Sequence, residues 1–168
     1  PGRILSIISI IILFANCTGY DKVLKSTDYR WKYREAVNYY NAEDYIRAST
    51  LFDQIAPVFR GTEVADSVYF LQAMSYFYQN DFILSGHYFR TFAQTYGGSP
   101  FVEKADFMAA YCYYYSSPRP ELDQTPTIQA IQAFQLYLIK YPDSERKDEV
   151  LGYIEELRNK LVEKAYLS

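Results

Sequence analysis

Two stretches of this chain superimpose on each other without a gap. "REAVNYYNAEDYIRASTLF" (34–52) and "LQAMSYFYQNDFILSGHYF" (71–89) align at an offset of 37 residues. Ala36 falls on Ala73, Tyr39-Tyr40 on Tyr76-Phe77, Asp44-Tyr45 on Asp81-Phe82, Ala48 on Ser85 and Phe52 on Phe89. The unit ends match as well, Phe59-Arg60-Gly61-Thr62 lying on Tyr96-Gly97-Gly98-Ser99. "MAAYCYYY" opens a third copy, with Ala110 and Tyr113-Tyr114 another 37 residues on. Its second half, Ala130, Phe134 and Tyr141, follows at an offset of 45, so eight extra residues lie in the proline-rich stretch between. A period of this size belongs to repeat architectures, in which a unit buries its apolar face only against a neighbour.

Each unit reads as a helix pair. Small and aromatic residues recur at spacings of three and four, marking one helical face, and no segment alternates for long with the period of a strand. Glu43-Asp44 and Asn80-Asp81 make the turns, Ala48 allows two helices to approach closely, and Phe52 shares its face. Thr62, Ser99 and Ser144 are expected as N-caps, with Pro100 at a first helical position. The last segment, "DEVLGYIEELRNKLVEKAYL", keeps an apolar face at Val150, Ile154, Leu157, Leu161 and Ala165. Glu155 and Arg158 fall where small and aromatic residues should be, so this is a connecting helix outside the repeat register, or a solvating cap.

The first residues have another purpose. "PGRILSIISIIILFANC" carries a basic residue at Arg3, then an apolar run from Ile4 to Phe14. Eleven helical residues span roughly 16 Å, short of a hydrocarbon core of about 30 Å, so a secretory signal fits better than a membrane span. Cys17 directly after the run gives it the look of a lipoprotein signal, in which that thiol receives lipid. The other reading is an ordinary cleaved signal with an incidental cysteine. Cys112, in an aromatic helix, reads as a small core residue. The chain begins with Pro1 and ends inside a helical pattern, which reads as a fragment.

Chemistry is hard to place. The 17 basic residues fall short of the 20 acidic ones, a balance that works against a nucleic-acid partner. The sole histidine, His87, has no metal-ligand spacing around it, and the carboxylates, Glu155-Glu156 included, are scattered over polar faces. Gly97-Gly98 closes a helix rather than cradling phosphate. No catalytic set, metal site or cofactor is expected.

Small residues (Ala36, Ala73, Ala110) three before an aromatic (Tyr39, Tyr76, Tyr113), then "DYIRASTLF", "DFILSGHYF" and "PTIQAIQAF", resemble the tetratricopeptide repeat. The resemblance implies an all-α fold, a right-handed superhelix of helix pairs. It divides the chain into a signal at 1–16, a lipidated linker at 17–27, and repeats at 28–61, 62–98 and 99–144. A loop insertion at 116–127 lies inside the third repeat, and the connecting helix occupies 145–168. The family lines its concave groove from the first helix of each pair. Carried over, the groove positions are Tyr33, Val37, Tyr40 and Asn41, then Phe70, Met74, Phe77 and Tyr78, then Phe107, Tyr111, Tyr114 and Tyr115. Tyr113 faces its partner helix. Such a groove suits peptides with aromatic anchors and not a free carboxylate, for which Lys and Arg would be expected there.

With the lipoprotein-like start, "YREAVNYYNAEDYIRASTLFDQIA", "FVEKADFMAAYCYYY", "YLIKYPDSE" and "LRNKLVEKAYL" resemble the BamD family of outer-membrane assembly lipoproteins. The resemblance implies a non-enzymatic subunit of the β-barrel assembly machinery, anchored by lipid at the periplasmic face of the outer membrane. It would partner a BamA-like barrel subunit and receive unfolded barrel precursors. Family members usually carry further repeats towards the C-terminus. Alternatives are a glycan-binding surface lipoprotein of the SusD type, and a periplasmic scaffold like the Tol-Pal accessory proteins.

Overall fold

The computed structural model describes residues 19–167, and no strand occurs among them. The expected signal at 1–16 and the lipid-attachment residue Cys17 lie outside the described residues. A helical stretch at residues 19–25 precedes seven helices. These are α1 (Tyr29–Asn41), α2 (Tyr45–Phe59), α3 (Ala65–Tyr78), α4 (Phe82–Thr95), α5 (Val102–Ser116), α6 (Thr125–Lys140) and α7 (Lys147–Leu167). Consecutive helices pack on each other and α1 also touches α3, which is the helix-pair stack of a tetratricopeptide solenoid.

The turns inside the first two pairs are built alike. Glu43 and Asn80 leave the leading helix at φ 60° and 62°, the left-handed region that reverses the chain. Asp44 and Asp81 then cap the second helix, accepting from the Arg47 and Leu84 backbone N–H groups at 3.2 and 3.0 Å. Asp28 caps α1 in the same way, through Trp31 N at 2.9 Å.

The entries to α3 and α5 differ from expectation. Thr62 does not cap α3; its hydroxyl donates back to Phe59 O at 2.8 Å, closing α2 instead. Ser99 and Ser144 do accept backbone N–H groups, from Phe101 and Arg146 at 3.2 and 3.1 Å, but in the turn ahead of each helix. Pro100 belongs to that turn, since α5 begins only at Val102.

The repeat positions are the core. Ala36, Ala73 and Ala110 are buried, as are Ala48, Ser85 and Ala130, and Phe52, Phe89 and Phe134 are each 0% exposed. Ser85 is tolerated at its small-residue position because its hydroxyl donates to Ala73 O at 3.0 Å. Next to it Gly86 lets α4 and α5 meet closely: a Cβ there would stand 3.1 Å from Cys112 Cβ. Burial pushes the Cys112 thiol up to about 11, so it packs as a thiol and is no nucleophile at neutral pH.

The core forms two clusters, one around the first pair and one through the second and third pairs to α7, with Tyr40 and Tyr69 packed against both. Buried Lys32 ties the 19–25 stretch to the first pair, donating to Leu24 O at 3.1 Å and Gln54 Oε1 at 2.6 Å.

The proline-rich loop between α5 and α6 is held down. Buried Gln124 donates to Arg119 O at 2.8 Å and Leu122 O at 3.1 Å, while Lys160 and Lys164 of α7 reach Ser117 Oγ and Leu122 O, both at 2.9 Å. The apolar face of α7 is buried at Val150, Ile154 and Leu157, half-buried at Leu161 and exposed at Ala165.

One carboxylate fastens the third pair to the start of α7. Glu103 Oε1 accepts from Tyr137 Oη at 2.9 Å and Ser144 Oγ at 2.6 Å. These bonds, that from Ser144 first, hold its carboxyl below the ordinary 4.5. A carboxyl lowered in the folded state stabilises the fold above its unfolded value and loses that contribution as pH falls through the folded value. Glu103→Gln keeps an acceptor oxygen but cannot titrate. Its melting temperature should therefore fall less steeply than wild type below about pH 4.5, as read by thermal melts across the acid range.

Candidate functional site

Each leading helix places an aromatic residue near its C-terminal end, and the second helices of the first two pairs open with another, Tyr45 and Phe82, where α6 opens with Thr125. Tyr40, Tyr45 and Tyr78 meet where the α1–α2 turn adjoins the end of α3. Tyr45 and Tyr78 stack with centroids 4.5 Å apart, and Tyr40 meets Tyr45 edge-on at 5.5 Å. The arrangement recurs one unit later: Phe82 stacks on Tyr115 at 4.8 Å, and Phe77 meets Phe82 edge-on at 5.5 Å. Ring contacts then run on without a break, from Tyr40 through Tyr78, Phe77, Tyr111 and Tyr114 to Tyr153 on α7. An aromatic ladder thus joins all three pairs to the last helix.

Six of the residues expected in a groove are in this ladder: Tyr40, Phe77, Tyr78, Tyr111, Tyr114 and Tyr115. Phe107 stacks beneath Tyr111 at 5.3 Å and is only 3% exposed. Phe70 and Met74, each 5% exposed, lie in the core, Phe70 stacked on Phe101 at 4.9 Å. These three hold the stack together and offer no surface. Asn41 is exposed at the end of α1 and Val37 is half-buried in the first core cluster. Tyr33 stands apart from the ladder, against Phe59 at 5.7 Å. It lines a hollow of about 630 Å³ with Arg30, Arg34, Glu63 and Val64. Arg30 and Arg34, which are not among the carried-over groove positions, bring two guanidinium groups to this hollow, a pairing that can hold a carboxylate.

The third unit is narrower than expected. Tyr153 roofs Tyr111 at 5.3 Å and Tyr114 at 4.7 Å, and the Tyr114 hydroxyl donates to Glu156 Oε2 at 2.7 Å. Glu156 is therefore a partner of the ladder and not a scattered surface charge. Tyr78 and Tyr115 remain 46% and 48% exposed. Burial, then the Glu156 bond, pushes the Tyr114 phenol up to about 12, and burial with the Tyr78 and Tyr45 phenols raises Tyr40 well above the ordinary phenol range. At neutral pH these hydroxyls stay protonated, able to donate and accept hydrogen bonds. Tyr113 lies outside the ladder beneath Arg90, whose guanidinium is 5.2 Å from its ring.

Among the described residues no group of three or more His, Cys, Asp or Glu could hold a metal ion, and no helix is long and apolar enough to cross a membrane. His87 is exposed on α4, tilted against Tyr88. Sequence reasoning missed Tyr45 and Phe82, Tyr153, and the pair Arg30 and Arg34. The first two could have been found, since they occupy one position of the repeat. Tyr153 could not, because α7 leaves the register.

Residues 27–167 match the model of the YfiO family, described as outer membrane lipoprotein. The chain belongs to that family. YfiO is the BamD family domain, so the resemblance carried by the repeats holds over α1 to α7. YfiO proteins are accessory lipoproteins of the outer-membrane assembly machinery and are not enzymes as a family. No curated protein matches the chain.

Proposed function

We propose that this YfiO-family chain is a lipid-anchored subunit of the β-barrel assembly machinery, held by Cys17 at the periplasmic face of the outer membrane. It binds unfolded barrel precursors along the aromatic ladder and docks a BamA-like barrel subunit. The observation that carries the reading is the ladder itself, continuous over three helix pairs and open at Tyr78 and Tyr115. Aromatic rings with protonated hydroxyls give broad apolar contact and adaptable hydrogen bonding at small entropic cost, which suits a segment of extended chain whose sequence varies. Tyr33, with Arg30 and Arg34, adds a place for a terminal carboxylate next to an aromatic side chain.

Pull-down of the full chain from detergent-solubilised envelope tests the assembly. A large β-barrel protein should accompany it in about stoichiometric amount. Recovery of the chain without any barrel protein contradicts the assembly reading.

A further inference from the structure

The two aromatic triads pack alike yet differ in chemistry. The second is Phe77, Phe82 and Tyr115, with Asn80 at its turn; the first is Tyr40, Tyr45 and Tyr78, with Glu43. Asparagine tolerates the left-handed backbone at this position, whereas Glu43 takes up φ 60° with no such ease. Packing between units therefore explains the rings, and a hydroxyl contact between Tyr40 and Tyr78 accounts for two of the phenols, but neither explains the Tyr45 hydroxyl or the Glu43 carboxylate. Glu43 and Asp44 line a hollow of about 350 Å³ together with Tyr45, Ile46 and Tyr78. Asp44 is paired with Arg47 at 3.0 Å, while among the described residues Glu43 enters no ion pair. Elsewhere the chain supplies its own cations to its tyrosines, Arg47 over Tyr20 and Tyr39 at 5.2 and 5.6 Å and Arg90 over Tyr113. Among the described residues no Lys or Arg stands over Tyr40, Tyr45 or Tyr78.

We infer that this edge is a receiving site for a cationic side chain, an arginine or lysine of a bound polypeptide. The negative ring faces and the Glu43 carboxylate attract the charge, and Ile46, 68% exposed at the rim, takes the aliphatic stem. Guanidinium suits the site best, because its plane stacks on a phenol while its edge donates to a carboxylate. The inference rests on the reading of the chain as a receiver of polypeptide, and it adds that the segment received carries a basic residue.

The test is NMR titration of the tyrosine- and phenylalanine-labelled chain with acetyl-arginine amide and with its uncharged isostere, acetyl-citrulline amide. Arginine should shift the Tyr45 and Tyr78 ring signals and leave those of Phe77 and Phe82 in place. Citrulline should bind about tenfold more weakly or not at all. Glu43→Asn, which installs the residue the second turn already uses, should keep the fold and lose about tenfold in arginine affinity. Equal response to citrulline, equal shifts at both triads, or an unaffected Glu43→Asn chain would overturn the inference. So would phosphatidylethanolamine vesicles that move these signals while arginine amide does not, since the occupant would then be a lipid headgroup. Precursor binding that persists without the arginine response sinks this site alone. An arginine response without precursor binding sinks the proposed function and leaves the site to another basic polypeptide.

Discussion

Phe89→Ala is expected to cost about 3–5 kcal/mol of stability, the largest effect of any single truncation considered for this chain. Phe89 is 0% exposed and packs edge-on against Phe70 at 5.6 Å, in the middle pair. Removing it takes away the transfer energy of a whole ring and leaves a cavity, because Gly86 and Cys112 already bring α4 and α5 as close as they can come. Against a total of about 5–15 kcal/mol for a domain, this is roughly a fifth or more of what holds the fold. A stacked repeat couples neighbours only through shared interfaces, so losing the middle one also separates the two ends. Melting temperature should drop by roughly 6–20 °C in thermal denaturation followed by circular dichroism. His87→Ala, two residues away but exposed on α4, should stay within about 0.5 kcal/mol of wild type.

The second large effect concerns binding. Tyr78 and Tyr115 are the open rungs of the ladder, and each rests flat on a neighbour from the second helix of the preceding pair. Replacing both by leucine keeps apolar bulk on Tyr45 and Phe82 but removes the ring faces and the hydroxyls. Aromatic anchors at a recognition surface contribute about 1–2 kcal/mol each when truncated, so affinity of the double variant for a peptide of a barrel precursor's terminal strand should fall by roughly 30–1,000-fold. Losing the two stacked pairs should lower stability by about 1–3 kcal/mol, less than Phe89→Ala. Fluorescence anisotropy of a labelled peptide, paired with thermal melts, separates the two quantities. A double variant that binds as wild type would place recognition elsewhere on the molecule.

The repeat made the fold legible. Ala36, Ala48 and Phe52, and their copies one and two units on, owe their burial to contacts between or beside the two helices of a pair, and those contacts recur with the sequence period. Asp44 and Asp81 announced the turns because a carboxylate at that point accepts the orphan N–H groups of the helix it opens. The site was legible only where it follows the same period. Tyr40, Phe77, Tyr78, Tyr111, Tyr114 and Tyr115 qualify, and so would Tyr45 and Phe82 had the second helix been credited with a share. Phe70, Met74 and Phe107 sit further back along their helices, in the core; Phe101 closing on Phe70 is a contact between units that no within-unit spacing encodes. The roof that Tyr153 places on Tyr111 and Tyr114 comes from α7, which keeps an apolar face but not the repeat's register. Arg30 and Arg34, four apart on one helix, were legible as neighbours, but the hollow they share was not, because it depends on the turn between α2 and α3.

Competition between two peptides bears most directly on the role of these rings. One has the terminal strand sequence of a barrel precursor, the other the same residues in scrambled order, and both displace a labelled reporter from the chain. If the phenols of successive hairpins read an extended segment by the placing of its aromatic side chains, the native order should displace at least tenfold more effectively than the scrambled one. Equal displacement by both would mean that the ladder serves only to fasten one hairpin to the next.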